Sequence, residues 1–218
     1  MLFRDRVDAG KQLAFRLRNL AERDCVVMAI PRGGVVVGFE VASAINAPLD
    51  VITPRKLGAP DQPELAIGAV SAWGAGRILD EMTVRALRVT EDYVERETRA
   101  QIAEIERRLK AYRGSTEPPD LTGKVALMID DGIATGYTML AAIRGVQSLG
   151  PERIVAGAPV ASTDAAHRVG SEVDELVCLH TPSPFLAVGY WYTDFSQVTD
   201  EEVIQLLRRN RAGAAAAG

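Results

Sequence analysis

The sequence predicts an α/β fold, a single compact domain carrying a small appendage, and three observations predict it. Short apolar runs of strand character alternate with longer amphipathic stretches of helical period, the order that builds parallel sheets. The 218 residues exceed the common domain size yet stay below the length that forces two cores. A hydrophobic content of 47% beside 25% charged residues suits an ordinary soluble chain that buries a sizeable core. The net charge of −4 argues against a broad grip on nucleic acid, so local basic clusters must do any phosphate work.

Asp5 to Glu22 places Val7, Leu13, Leu17 and Leu20 among charges, an amphipathic helix ahead of the sheet. Val26 to Ile30 is the first core strand, Pro31-Arg32-Gly33-Gly34 a sharp turn, and Val35 to Ala44 a helix. Leu49 to Thr53 is a second strand ending in Pro54-Arg55-Lys56. Leu57 to Pro63, with Gly58, Pro60 and Pro63, reads as loop rather than core. Ala66 to Trp73 and Arg77 to Leu79 form strand-like runs joined through Gly74-Ala75-Gly76, a hairpin, so that a flexible loop or hairpin covers about residues 54–80. Thr90 caps a charged helix to Arg113 with Ile102, Ile105 and Leu109 on one face and Gly114 at its stop. Ser115 to Pro119 is a linker. Val125 to Ile129, Arg153 to Pro159 and Glu175 to His180 are further strands, and a helix over Asp200 to Asn210 starts with a capping box, Thr199 with Glu202. Ala212 to Gly218 is expected to fray.

Two cysteines, Cys25 and Cys178, fall in strand-like segments as small hydrophobes, and no disulfide is expected. His167 reads as a helix-surface residue and His180 as the end of a strand. No C-x-x-C or H-E-x-x-H spacing supports a structural zinc site. No apolar run reaches membrane-spanning length, and Met-Leu-Phe-Arg-Asp-Arg lacks the apolar core of a signal peptide. A cytoplasmic location is the default expectation.

The chemistry concentrates at residues 125–139. An apolar strand runs into Asp130 and Asp131 and then into Gly132-Ile133-Ala134-Thr135-Gly136-Tyr137-Thr138, after which Met139 to Leu149 is helical, opened by Thr138. Such a loop offers backbone N–H groups, the hydroxyls of Thr135 and Thr138 and a helix N-terminus to a phosphate dianion. Two acids beside an anion site repel it unless a polyol lies between them. A ribose 5-phosphate resolves this, with its phosphate in the loop and its hydroxyls on the acids. Neither G-x-G-x-x-G after a strand nor a P-loop occurs, which removes the main support for dinucleotide and NTPase readings.

Asp130-Asp131-Gly-Ile-Ala-Thr135-Gly136-Tyr137-Thr138 resembles the signature of the type I phosphoribosyltransferases, and the likeness covers about residues 24–180. The resemblance implies that fold: a central parallel sheet of about five strands, helices on both faces, and a small hood, here about residues 181–198 of a single 1–218 domain. It implies transfer of ribose 5-phosphate from phosphoribosyl diphosphate to a nitrogenous acceptor, with Mg²⁺ as cofactor and small molecules, not nucleic acid or membrane, as partners. Asp130 and Asp131 would hold the sugar and, through ribose or water, the metal. Pro31, Arg32, Gly33 and Gly34 would bind diphosphate, a role the family often gives to a cis non-proline peptide, here Pro31–Arg32. Arg55 and Lys56 would neutralise the leaving group as a loop closes.

The acceptor is left open. Ala134 stands where the oxopurine branch of the family carries an aspartate, and Gly157 to Asp164 lacks that branch's lysine. Yet Phe185, Tyr190, Trp191 and Asp194 resemble its hood, where an aromatic stacks on the base and an acid reads its edge. Phe185, Tyr190, Trp191 and Tyr192 put four aromatics into eight residues; a planar acceptor could stack there, or the cluster packs the last helix or a dimer interface. Dimers are common for the fold, which leaves a homodimer open. Two other classes stay in view: a regulatory module that binds phosphoribosyl diphosphate or a nucleotide without turnover, and a hydrolase acting through the acidic pair.

Overall fold

The computed structural model describes residues 2–73 and 77–217. In chain order its elements are α1 (Arg6–Leu17), β1 (Cys25–Ala29), α2 (Gly33–Ile45), β2 (Leu49–Val51), β3 (Arg55–Ala59), β4 (Gln62–Val70), β5 (Ile78–Leu79), α3 (Glu81–Ala86), α4 (Glu91–Arg113), β6 (Val125–Ile129), α5 (Tyr137–Gln147), β7 (Arg153–Val160), α6 (Thr163–Gly170), β8 (Glu175–His180) and α7 (Asp200–Ala217).

The expected parallel sheet is present with five strands in the order β2-β1-β6-β7-β8. Strand alternation sorts its residues between two apolar layers. Cys25, Val27 and Ala29 join Val125, Leu127 and Ile129 under α1, α2, α4 and α7, whereas Val26 and Met28 join Ala126 and Met128 under α5 and α6. Helices therefore cover both faces. From β1 the chain steps to β2 on one side, and β6, β7 and β8 continue on the other. The sheet order thus reverses between β1 and β6, the place where open α/β sheets take ligands, and the loops that follow these two strands lie side by side there.

Residues 57–63 correct the sequence reading. They belong to an antiparallel sheet of order β3-β4-β5, with a two-residue turn at Pro60-Asp61 where Asp61 has φ of 60°. Leu57 and Ala59 are buried, and the Tyr93 hydroxyl of α4 donates to the Gly58 carbonyl at 3.1 Å. Glycine and proline commonly break strands, but Pro60 lies in the turn and Pro63 falls beside the pairing irregularity at Gly58, where its missing N–H is tolerated. The turn at 74–76 lies outside the described residues. Helix α3 has no counterpart among the sequence expectations; Asp80 caps it by accepting from the Thr83 N–H at 3.1 Å.

Helix α1 ends at Leu17 instead of reaching Glu22, because a 3-10 turn over Arg18–Leu20 brings Leu20 into the core. Helix α4 keeps its expected caps, Thr90 and the left-handed Gly114; Ile105 and Leu109 are buried while Ile102 is exposed. Helix α7 does not stop at Asn210 but continues through the alanine run, a strong helix former, to Ala217, where fraying was expected. His167 is exposed on α6, as expected.

Candidate functional site

Strand β6 is buried along its whole length and delivers Asp130 and Asp131 to its carboxyl end. One Asp130 carboxylate oxygen accepts from the Asp131 N–H at 2.8 Å. Burial, and then the neighbouring Asp131, push the Asp130 carboxyl well above its ordinary range. Burial also raises Asp131, with the Arg6 guanidinium opposing it. Ionising both carboxyls together is therefore costly, and the pair favours hydrogen-bond donors or cations that offset the charge.

The following loop is stitched to β7. Ile133 bridges Ala161 in parallel, with the Ile133 N–H on the Val160 carbonyl and the Ser162 N–H on the Ile133 carbonyl, both at 2.9 Å. The Ser162 hydroxyl donates to the Ala134 carbonyl at 2.7 Å, and the Arg168 guanidinium donates to the Thr135 carbonyl and lies 4.9 Å above the Tyr137 ring. Ile133 is buried, so it can offer a ligand only backbone, while Ala134, Thr135 and Thr138 are not enclosed in the core. Thr138 does not open the helix. Gly136, at φ of 84°, occupies the cap position of α5, and no side chain caps it. The first-turn amides are consequently left for an incoming anion.

The turn after β1 lies directly against the acids. The Pro31–Arg32 peptide is cis. A Cβ at Gly33 would collide with the Asp131 carboxylate and with Arg6 Nε, and one at Gly34 would lie 2.9 Å from the Asp130 Cα. Only glycine lets the two loops meet this closely. Arg32 reaches toward the Asp200 carboxylate at 4.0 Å, which accepts the Tyr112 hydroxyl at 2.6 Å. Arg55 donates to Gln101 of α4 at 2.9 Å, and Lys56 pairs with Glu64 of β4 at 2.7 Å, so both side chains are engaged within the hairpin and its helix. The Tyr137 hydroxyl donates to Asp80 at 3.3 Å, linking that hairpin unit to the loop.

The hood combines both ends of the chain. Phe3 bridges Tyr192 in parallel, and the buried Tyr192 hydroxyl donates to the Asp131 carbonyl at 2.6 Å. The Phe185 and Tyr190 rings each lie 6.3 Å from Trp191, and Val188 packs on Gly132. Asp194 accepts from the Ser196 N–H at 2.9 Å and turns the chain there. Tyr190 is exposed, whereas Tyr192 belongs to the core of the hood with Phe3, Ala9 and Val160.

Sequence reasoning misses Arg6. Its Nε donates to Asp131 at 2.6 Å, its Nη1 donates to the Ser196 carbonyl at 2.8 Å, and its guanidinium stacks 3.8 Å from the Phe195 ring centroid. The signal lies in the spacing. Arg6 shares a helix face with the buried Gly10, Leu13 and Leu17, and a charge in phase with a core face needs a buried partner.

Among the described residues no group of three or more histidines, cysteines and acids could hold a metal ion. With one Asp131 oxygen given to Arg6, the acidic pair fits Mg²⁺ only as a small part of its shell, through water or ligand hydroxyls, the remaining oxygens coming from the ligand.

The model of the phosphoribosyl transferase domain matches residues 4–181. Proteins of two Mycobacterium tuberculosis strains, CDC 1551 / Oshkosh and ATCC 25618 / H37Rv, each bearing the name "Putative phosphoribosyl transferase", are 43% identical over 217 residues, 100% of this chain and 49% of theirs. The chain thus spans about half the length of these relatives. The crystal structure of TT1426 from Thermus thermophilus superposes with a TM-score of 0.80 at 41% identity, covering 96% of this chain and 99% of that one. A hypothetical protein from Neisseria gonorrhoeae, solved with bound ppGpp, shares the fold alone, with a TM-score of 0.51 at 14% identity over 97% of this chain and 99% of its own.

Proposed function

The chain belongs to the phosphoribosyl transferase domain family, and from that premise we propose that it transfers ribose 5-phosphate from phosphoribosyl diphosphate to a planar nitrogenous acceptor, releasing diphosphate. The observation that carries this reading is the contact of Gly33 and Gly34 with Asp131 and Asp130. Two loops suited to anions flank one pair of acids at the reversal of the sheet order. A sugar bearing phosphate at one end and diphosphate at the other fits that spacing of charge.

In this reading the 5-phosphate lies on the first-turn amides of α5 with the Thr135 and Thr138 hydroxyls, and Gly132 to Thr138 fix its position. Asp130 and Asp131 accept from the ribose hydroxyls and favour the positive charge that grows at the anomeric carbon as diphosphate departs. Pro31 to Gly34 and the Arg32 guanidinium receive the departing oxygens, joined by Arg55 and Lys56 when they leave Gln101 and Glu64. Bound Mg²⁺ supplies further neutralisation of diphosphate charge. Phe185, Tyr190 and Trp191 offer ring faces to the acceptor, and Asp194 an edge contact. Holding the two reactants in line contributes several kcal/mol, roughly, of barrier reduction.

A second reading, a regulatory module that binds the same ligand without turnover, is favoured by one observation: Arg55 and Lys56 already have partners. Calorimetry of phosphoribosyl diphosphate with and without Mg²⁺, on wild type and Asp131→Asn, followed by diphosphate release with a panel of bases, separates the two. Metal-dependent binding weakened by about tenfold in the variant but still measurable, and release triggered by an acceptor, are expected. Binding without release under every acceptor establishes the module, and no binding refutes both.

A further inference from the structure

We infer that Arg6 is a positioning residue for the acidic pair: it fixes the Asp131 carboxylate for the sugar hydroxyls and makes that geometry depend on docking of the chain's first helix against the hood. The inference rests on the proposed ligand and adds a residue to its site. Arg6 is the first residue of α1 and is 125 positions from Asp131, so the contact exists only through tertiary packing. Both side chains are mostly buried, at 11% and 16% exposure. A guanidinium carries several donors in a rigid plane, and here its parts are divided among three partners, with Nε on Asp131, Nη1 on the Ser196 carbonyl and the flat face on Phe195. Gly33 packs against the carboxylate from another side, and the Tyr192 hydroxyl fixes the residue's backbone by donating to its carbonyl.

That arrangement does two things. It offsets the charge of one of two adjacent buried acids, so that Asp130 and Asp131 can face the ligand together. It also links the hood to the ribose site, because Ser196 and Phe195 stand next to Asp194 and Tyr192, and the N-terminal segment that carries Arg4 pairs with the same stretch through the Asp194 N–H on the Arg4 carbonyl at 2.8 Å. Removing Arg6 leaves Asp131 free to rotate or to bind the wrong group.

The test is a double-mutant cycle read in affinity for phosphoribosyl diphosphate with Mg²⁺, by calorimetry, using wild type, Arg6→Gln, Asp131→Asn and the double variant, with circular dichroism melts to confirm folding. Phe195→Leu, which removes the stacking face and keeps the charge, is the control. Arg6→Gln is expected to weaken binding by about tenfold or more in the wild-type background and by less than about twofold beside Asp131→Asn, the coupling of two groups that act as one. Phe195→Leu is expected to cost less than Arg6→Gln. An equal loss in both backgrounds would make Arg6 merely structural and overturn the inference, as would tighter binding after its removal, which would make it an occupant that the ligand displaces. Wild type that binds no phosphoribosyl diphosphate fails the proposed function itself, and the inference with it, whereas binding by wild type with no coupling fails only the inference.

Discussion

A methyl group at position 33 has no room. Gly33→Ala would press on the Asp131 carboxylate and Arg6 at once, so on the proposed reading it should weaken sugar-phosphate binding by about tenfold or more while leaving the sheet folded, measured by calorimetry beside a melting curve. Asp130 gives the opposite pairing of effects. Its carboxyl is raised well above the ordinary range by burial and by Asp131, so its ionised form is disfavoured in the folded chain. Folding is thus helped as pH falls through that raised value toward the ordinary carboxylate range, and this help is lost as pH rises through it. Asp130→Asn keeps an oxygen for the Asp131 N–H; it should remove this pH dependence and raise Tm, by ~2–4 °C for each kcal/mol relieved, while ligand binding is lost. Both acids and the loop after them were legible because adjacent carboxylates on a small-residue turn have few structural uses. Arg6 was hidden because one charge on a charged helix looks like solvent decoration until its face is counted.

At the scale of elements, the five strands of the parallel sheet were legible because buried parallel strands are short continuous apolar runs. Residues 57–63 were not, because an antiparallel hairpin of glycine, proline and alanine owes its order to paired backbone and to α4 behind it, neither of which leaves a hydrophobic period. The correction is testable. Leu57→Ala should destabilise the protein by about 2–5 kcal/mol in chemical denaturation, as for a filled core position, whereas a loop residue would change stability by less than ~0.5 kcal/mol. The start of α5 carries a similar lesson: Thr138 has the chemistry of a cap, but a glycine in the left-handed conformation takes the position, and the freed amides are what an anion site requires.

Over the whole molecule, the reversal of sheet order between β1 and β6 accounts for two loops 100 residues apart in the chain, roughly, meeting at one edge of the sheet. A ligand held by both must stabilise the fold as a unit. Phosphoribosyl diphosphate at a hundred times its Kd should add about 2.7 kcal/mol to unfolding, seen as a rise in Tm that Asp131→Asn reduces at the same ligand concentration. The topology was readable from alternating strands and helices, whereas the pairing of the late 181–198 segment with Phe3 was not, since irregular backbone joined across the sequence leaves no period. The bond from Tyr192 to the Asp131 carbonyl has a further consequence for biosynthesis. A polypeptide leaves the ribosome amino end first, and domains fold as they emerge. All five strands of the parallel sheet, which end at His180, emerge before Tyr192 and Ser196 do. A product truncated near residue 185 would hold every strand of that sheet yet lack α7 from its core face and the last supports of its acids, so that every complete site certifies a chain made past the hood.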